Sequence, residues 1–138
     1  MENTNLTERE ANSYSPLGLA FLGDSVYDTL VRERLLRASN VPVAKYHAAK
    51  VKLVCAEFQS SMYDRVAEVL SERELAVLKR GRNATGTAVP KHADAAEYRR
   101  ATAVEALFGY LYLLGRIERI EELFEIIMRD IEISFSEG

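Results

Sequence analysis

The sequence predicts an all-α domain, and three observations support that class. Apolar residues recur at the three- and four-residue spacing of a buried helix face in four long segments. Helix-capping signals precede several of them, as where Ser71 is followed three residues later by Glu74. The alternating pattern of a half-buried β-strand does not occur in the sequence.

Length and composition favour one globular domain. The chain has 138 residues, of which 48% are hydrophobic, enough for a sizeable core. Residues 1–14 are polar and are predicted to be a flexible leader, so the folded domain is expected over residues 15–138. Cys55 is the single cysteine and cannot form an internal disulfide, which fits a reducing, cytoplasmic location. No apolar run approaches the roughly 18 residues that a membrane span needs.

The net charge of −3 argues by itself against a nucleic-acid partner, but the charge is unevenly distributed. Residues 79–100 hold six basic and two acidic residues, whereas residues 101–138 hold three basic and eight acidic residues. The basic segment is therefore a better guide to binding partners than the net charge of the whole chain.

The first long helix is expected over residues 16–37, with Ser15 as its N-cap. Asp24 lies inside its apolar pattern, where an ionised carboxylate is costly unless it is paired, hydrogen-bonded or bound to a metal. Gly23 beside it costs about 1 kcal/mol of helix propensity relative to alanine. This combination indicates a site. A salt-bridged aspartate, with Gly23 needed only for close helix packing, explains the spacing equally well.

The middle of the chain is predicted to be helical from residue 43 to residue 70, as one bent helix or two with a break at Ser60-Ser61. Its first half is basic; solvent exposure is the ordinary explanation for these charges, and an edge that contacts nucleic acid is the alternative. Ser71 then caps a short helix that ends near Arg80-Gly81.

Residues 79–92 are predicted to form a basic loop, because the segment contains two glycines, a proline and short polar residues. Side chains and backbone N–H groups of such a loop can approach phosphates closely. The glycine spacing is wrong for a Walker nucleotide-binding loop, and an ordinary surface loop is the alternative. The candidate RNA-binding residues are those of the loop and of the helix start after it: Lys79, Arg80, Arg82, Asn83, Lys91, Arg99 and Arg100.

A further long helix is expected over residues 95–114, and here Glu105 lies among apolar residues with Gly109 one turn away. Two carboxylates that meet in a core repel or share a proton unless a cation lies between them. A hard divalent cation, Mg²⁺ before others, suits carboxylates without His or Cys partners. The last helix, expected over residues 117–133, has an acidic outer face that should face solvent.

These motifs resemble a known family. Phe21-Leu22-Gly23-Asp24-Ser25-Val26 resembles the signature helix of the ribonuclease III catalytic domain, and Val104-Glu105-Ala106-Leu107-Phe108-Gly109 resembles its second acidic helix. The segment from Lys79 to Ala84, with Tyr98-Arg99, resembles the small branch called Mini-ribonuclease III. The resemblance covers residues 15–133, with the motifs in the family's order.

The resemblance implies a homodimeric endoribonuclease that cuts double-stranded RNA. Asp24 and Glu105 would be the catalytic residues and would hold Mg²⁺, with Mn²⁺ as the alternative cation. The small branch further implies precursor large-subunit (23S-type) ribosomal RNA as substrate. No double-stranded-RNA-binding domain is expected, so the catalytic domain would supply all RNA contacts. Asp28, one turn after Asp24, is either an acid that supports the site indirectly or an ordinary exposed residue.

Two positions depart from the longer enzymes of that family. Ala20 and Thr102 stand where those enzymes carry a glutamate and an aspartate, as in the small branch, so the number of metals is open. The losses motivate a rival hypothesis: a non-catalytic RNA-binding or ribosome-assembly factor on the same fold. A helical protein-interaction module is a further rival, but it leaves both core carboxylates unexplained.

Overall fold

The structure is a computed structural model that describes residues 5–84, 89, 91 and 94–135. The predicted all-α class is confirmed, since these residues contain helices and no strand. Residues 1–4, most of the predicted basic loop between residues 85 and 93, and residues 136–138 lie outside the described part. No described helix is long and apolar enough to cross a membrane. The helices are α1 (Glu8–Asn12), α2 (Pro16–Ala38), α3 (Val43–Val54), α4 (Ala56–Ala67), α5 (Glu72–Arg82), α6 (Ala95–Leu113) and α7 (Ile117–Met128).

Helix α6 is the centre of the fold. It packs against α1, α2, α4, α5 and α7, and its residues from 101 to 111 are buried except for half-buried Glu105. A helix that is apolar around its whole circumference is expected to be enclosed by others. Small residues such as Ala103 and Ala106 let these neighbours approach closely. A charged side chain on α6 therefore has other helices on several sides.

The crossing of α2 over α6 depends on two glycines. A Cβ atom on Gly23 would lie 1.7 Å from the carbonyl oxygen of Glu105, and one on Gly109 would lie 2.0 Å from the carbonyl oxygen of Leu19. The two backbones are therefore in direct contact at this point. Asp24 follows Gly23 directly, and Glu105 precedes Gly109 by one turn, so the crossing brings the two acidic residues together.

Tyr27, one turn after Gly23, fixes α2 in the core. Its hydroxyl donates a 2.7 Å hydrogen bond to the carbonyl oxygen of Leu53 at the end of α3, and its ring packs edge-on against Phe108 of α6. Burial raises the pKa of the Tyr27 hydroxyl above its ordinary value. Tyr27 therefore ties three helices together and holds the register of α2.

The predicted caps are present at both helices where the sequence indicated them. The Ser15 hydroxyl accepts from the Gly18 amide, and Ser71 and Glu74 form the reciprocal capping box at the start of α5. Glu74 is nearly buried and also accepts hydrogen bonds of 2.9 Å from Arg119 of α7. This ion pair joins α5 to α7.

The N-terminal segment differs from the prediction of a flexible leader. Residues 5–14 contain α1, which begins with a capping box at Thr7 and buries Ala11 completely. The Leu6 amide donates to the carbonyl oxygen of Leu113, and Glu8 forms ion pairs with two arginines, Arg73 and Arg116. A buried alanine and paired charges place this segment in the folded domain.

Three predicted boundaries were wrong. The break in the middle segment lies at Cys55, which has extended backbone between α3 and α4, and residues 60 and 61 are helical. Helix α5 continues to Arg82 because Gly81 is buried against α6, so three of the basic residues lie on a helix and not in a loop. Helix α7 ends at Met128, before Asp130 with its left-handed φ of 68°.

Candidate active site

Asp24 and Glu105 face each other where α2 crosses α6. Their carboxyl groups lie within hydrogen-bonding reach of each other, close enough to share a proton. Asp24 is exposed, whereas Glu105 is half-buried among the side chains around α6. The pair predicted from two separate sequence motifs is thus one site in the structure.

The exposure of Asp24 corrects the expectation that it lies on a buried apolar face. Phe21, on the preceding turn, is 84% exposed, so this side of α2 is left uncovered by the rest of the described chain. Glu105, and not Asp24, is therefore the residue for which partial burial makes the ionised form unfavourable. The site is therefore open to solvent, or to a ligand, from the Asp24 side.

Glu105 is held in an unusual protonation state. Burial raises its pKa, and the hydrogen bond and negative charge of Asp24 raise it further, to about 8, against a small lowering by Gln59. At neutral pH Glu105 therefore keeps a proton in the absence of a cation. A strongly raised pKa at an open site is typical of functional carboxyl groups, although ion-pair networks also perturb pKa values.

A divalent cation fits this pair by the chemistry of the donors. Carboxylate oxygens are the ligands that Mg²⁺ prefers, and a cation relieves the repulsion that raises the pKa of Glu105. Among the described residues no group of three or more His, Cys, Asp and Glu side chains could hold a metal. Thr102 supplies no negative charge where the longer enzymes carry a carboxylate, and its hydroxyl donates a 2.9 Å hydrogen bond to the carbonyl oxygen of Tyr98 within α6. Water and substrate oxygens would have to complete the coordination.

Gln59 is a neighbour of the site that the sequence analysis did not identify. It lies on α4, is only 3% exposed, and its amide approaches the Glu105 carboxyl. The available signal was a lone amide among the apolar residues of α4, which is weak by itself. Three helices, α2, α4 and α6, therefore meet at Glu105.

Asp28 lies in an ion-pair network on the surface of α2. It pairs with Lys50 of α3 at 3.0 Å and with Arg32 at 2.6 Å. Burial raises the pKa of Asp28, but the bonds from these two cations outweigh it and lower the pKa below its ordinary value. These contacts join α2 to α3.

The predicted RNA-binding residues fall into groups with different surroundings. Arg82 and Arg100 meet at Tyr63 of α4, with guanidinium carbons 5.8 and 5.3 Å from the ring centre. Arg82 also donates a 3.1 Å hydrogen bond to the Tyr63 hydroxyl. Arg80 does not join this pair and instead contacts α1, where it donates a 2.8 Å hydrogen bond to Asn12. The remaining four are exposed: Lys79, Asn83, Lys91 and Arg99.

The arginine pair and Glu105 both contact helix α4. Tyr63 follows Gln59 by four residues on α4, which is about 6 Å along a helix axis. One face of α4 therefore contacts Glu105 at one turn and the two arginines at the next. Gln59 and Tyr63 are both buried, so α4 connects Glu105 to the two arginines through the interior of the fold.

The sequence model of the Ribonuclease III domain matches residues 17–116 of this chain. The chain belongs to the ribonuclease III family. A Mini-ribonuclease 3 from a Thermoanaerobacter species is 41% identical over 133 residues, which cover 96% of this chain and 94% of that relative. A Mini-ribonuclease 3 from Symbiobacterium thermophilum is 44% identical over 117 residues, covering 85% of this chain and 90% of the relative.

The fold of this ribonuclease III chain also matches a solved structure. A crystal structure of a Fusobacterium nucleatum protein superposes with a TM-score of 0.78 at 30% sequence identity, covering 86% of this chain and 91% of that one. The resemblance to ribonuclease III is confirmed by these comparisons, and the chain is an endoribonuclease of the type that acts on double-stranded RNA.

Proposed function

We propose that this endoribonuclease depends on Mg²⁺, with Mn²⁺ as the alternative cation, and that Asp24 and Glu105 form its catalytic centre. We further propose that it works as a homodimer and trims the ends of precursor large-subunit (23S-type) ribosomal RNA. The observation that carries the proposal is the meeting of these two carboxyl groups at the glycine crossing of α2 and α6.

The roles of the residues follow from their positions. A divalent cation bound at this centre would supply Lewis-acid polarisation of a phosphoryl oxygen and lower the pKa of water. Glu105 must release its proton to act as a ligand, whereas exposed Asp24 meets the incoming ligand first. The rigid backbone contact at Gly23 keeps both carboxylates in place, and such positioning is a large part of phosphodiester chemistry.

The RNA surface is proposed to comprise Arg82 and Arg100 at its centre, with exposed Lys79, Asn83, Lys91 and Arg99 around them. Tyr63 supports the two arginines from behind, which orders their long side chains before RNA binds. Ordered guanidinium groups bind phosphate oxygens with little further loss of side-chain entropy. Arg80 contributes positive charge and holds α1, so its role is expected to be partly structural.

Homodimerisation is supported by the uncovered face of α2. Phe21 is 84% exposed, on the side of α2 that carries Asp24. On a different side of α2, Val26 and Leu30 line a groove with Tyr112, in which charged side chains also lie. Exposed apolar surface of this kind typically marks a protein interface. Because Phe21 lies one turn from Asp24, a second copy there would place two catalytic centres on one assembly, as cutting both strands of a duplex requires.

The test is cleavage of a long RNA duplex by the pure protein with and without Mg²⁺, compared with single-stranded RNA of the same sequence. We expect cleavage of the duplex that stops when EDTA is added and returns with excess Mg²⁺. Cleavage that continues in EDTA would contradict the metal dependence.

A transcript carrying the paired ends of a precursor large-subunit ribosomal RNA tests the substrate. Cuts should map near the mature ends and should outpace cuts in an unrelated duplex of equal length. Equal rates on both duplexes would contradict the ribosomal-RNA preference while leaving the nuclease activity in place.

A further inference from the structure

Gln59 is a buried amide side chain on α4 that lies beside the acidic pair. The residue is 3% exposed, and its Nε2 atom has no hydrogen-bond partner within the residues that the structure describes. An amide donor in this position is unfavourable, because it has given up its hydrogen bonds to water without replacing them. A hydrogen-bond acceptor placed against this N–H group would remove that free-energy cost.

The Glu105 carboxyl is an acceptor that this side chain reaches, since Gln59 lowers the pKa of Glu105. Gln59 approaches it from α4 while Asp24 approaches it from α2, so one side chain receives contacts from two neighbouring helices. The amide faces the carboxyl without a hydrogen bond of normal geometry.

We propose that Gln59 is a positioning residue of the catalytic centre: its Nε2–H group donates to the Glu105 carboxylate and holds it facing Asp24. The inference rests on the proposed function, because it assumes that Glu105 is a cation ligand. Carboxylates that bind metals are themselves generally hydrogen-bonded by a second group, which fixes their orientation. Gln59 is placed to do this from a helix that carries no ligand of its own.

A purely structural role for Gln59 predicts a different outcome from the positioning role. Gln59→Met keeps the length and burial of the side chain but removes the donor. If Gln59 only fills space or supports the fold, this variant should lower the melting temperature and leave cation binding unchanged. If Gln59 orients Glu105, the melting temperature without metal should stay level or rise, because a buried donor without a partner has been removed.

The experiment measures Mg²⁺ and Mn²⁺ binding to the RNA-free protein by calorimetry, together with kcat and KM on duplex RNA. For Gln59→Met we expect cation affinity to fall roughly tenfold, within the range known for groups that support metal ligands. We expect kcat to fall and KM for RNA to stay within twofold, since Gln59 lies outside the RNA surface. The matched control is Ser60→Ala, the neighbouring buried polar residue on α4, which should leave both quantities unchanged.

Gln59→Asn provides a second variant should the methionine variant not fold, since it keeps the amide but shortens its reach by one methylene. Cation affinity and kcat within twofold of the parent in a folded Gln59 variant would overturn the positioning role and leave the proposed function intact. A lower melting temperature with unchanged cation affinity would overturn it as well. Failure of the proposed function has a separate signature: the parent would bind the cation no more tightly than Asp24→Asn, and the role of Gln59 would fall with it.

Discussion

A methyl group on Gly23 would lie 1.7 Å from the carbonyl oxygen of Glu105, which is less than any non-bonded contact allows. The residue before Asp24 is thus in van der Waals contact with the backbone of Glu105. The closeness of the two carboxylates and the absence of a side chain at position 23 are consequences of the same packing.

Gly23→Ala should therefore destabilise the protein by about 1–3 kcal/mol and nearly abolish cleavage, because α2 must move away from α6. Urea unfolding and duplex cleavage are the measurements. Gly18→Ala on the same helix is the matched control: its Cβ would meet only the Ser15 hydroxyl, at 3.1 Å, so its effect on stability should be small. Wild-type stability of Gly23→Ala would contradict the backbone contact.

Asp24→Asn and Glu105→Gln should each lower kcat on duplex RNA roughly 100-fold or more while the fold is kept, since they remove charge without changing shape. Circular dichroism checks the fold, and single-turnover assays at saturating Mg²⁺ measure the rate. Glu118→Gln, an exposed acid at the start of α7, is the control and should cleave normally. Near-normal cleavage by either site variant would remove that residue from the catalytic role.

The stability of the metal-free protein should fall as pH rises from about 4.5 to about 8. The folded state holds a proton on Glu105 up to a pKa of about 8, whereas the unfolded chain loses it near 4.5, so in this window the folded state binds more protons. The effect is of the order of a few kcal/mol at most. Thermal unfolding in EDTA across pH 5–9 measures it.

Glu105→Gln cannot titrate at this position, so its stability should depend less on pH over the same range. A parent and a variant with parallel pH profiles would contradict the raised pKa. Saturating Mg²⁺ should also flatten the parent's profile, because cation binding requires Glu105 to be ionised.

Arg82→Ala and Arg100→Ala should each weaken RNA binding across sequences, because each removes a charge that faces the phosphates. The salt dependence of binding should become flatter by up to about one log unit for every phosphate interaction removed. Titrations at several salt concentrations measure both quantities. Arg37→Ala, an exposed arginine at the far end of α2, is the matched control. Unchanged affinity and slope in both site variants would indicate a solvated basic surface that does not contact RNA.

Phe21→Asp should convert a dimer into a 15.5 kDa monomer, because it places a charge in the apolar face of α2. Sedimentation at micromolar concentration measures the mass. Val51→Asp on α3, where the parent residue is also exposed, is the control and should leave the assembly unchanged. A monomeric parent protein would contradict the dimer outright.

The sequence predicted the parts of this fold that depend on periodicity and local signals. The cap at Ser15 and the capping box of Ser71 and Glu74 are present, and the two acids flanked by glycines do meet. Periodicity could not place the break at Cys55, because neither glycine nor proline occurs there and only tertiary packing separates α3 from α4.

The sequence also could not indicate which sides of α2 its own chain covers. Helical spacing predicts Asp24 and Phe21 on one apolar face, and the structure leaves both exposed. Gln59 was missed for a related reason: its burial and its approach to Glu105 join residues 46 positions apart, and no local pattern records such a contact.

Helix α1 is joined to α5 near both of its ends: Glu8 forms an ion pair with Arg73 near the start of α5, and Asn12 accepts a hydrogen bond from Arg80 near its end. Deleting the first fourteen residues would therefore do more than shorten the chain. It would expose the part of the core that Ala11 covers. It would also remove the hydrogen-bond partner of Arg80, whose side chain would then be free to lie beside Arg82. A truncated protein could then bind RNA differently from the full chain, and affinities measured on one would not transfer to the other.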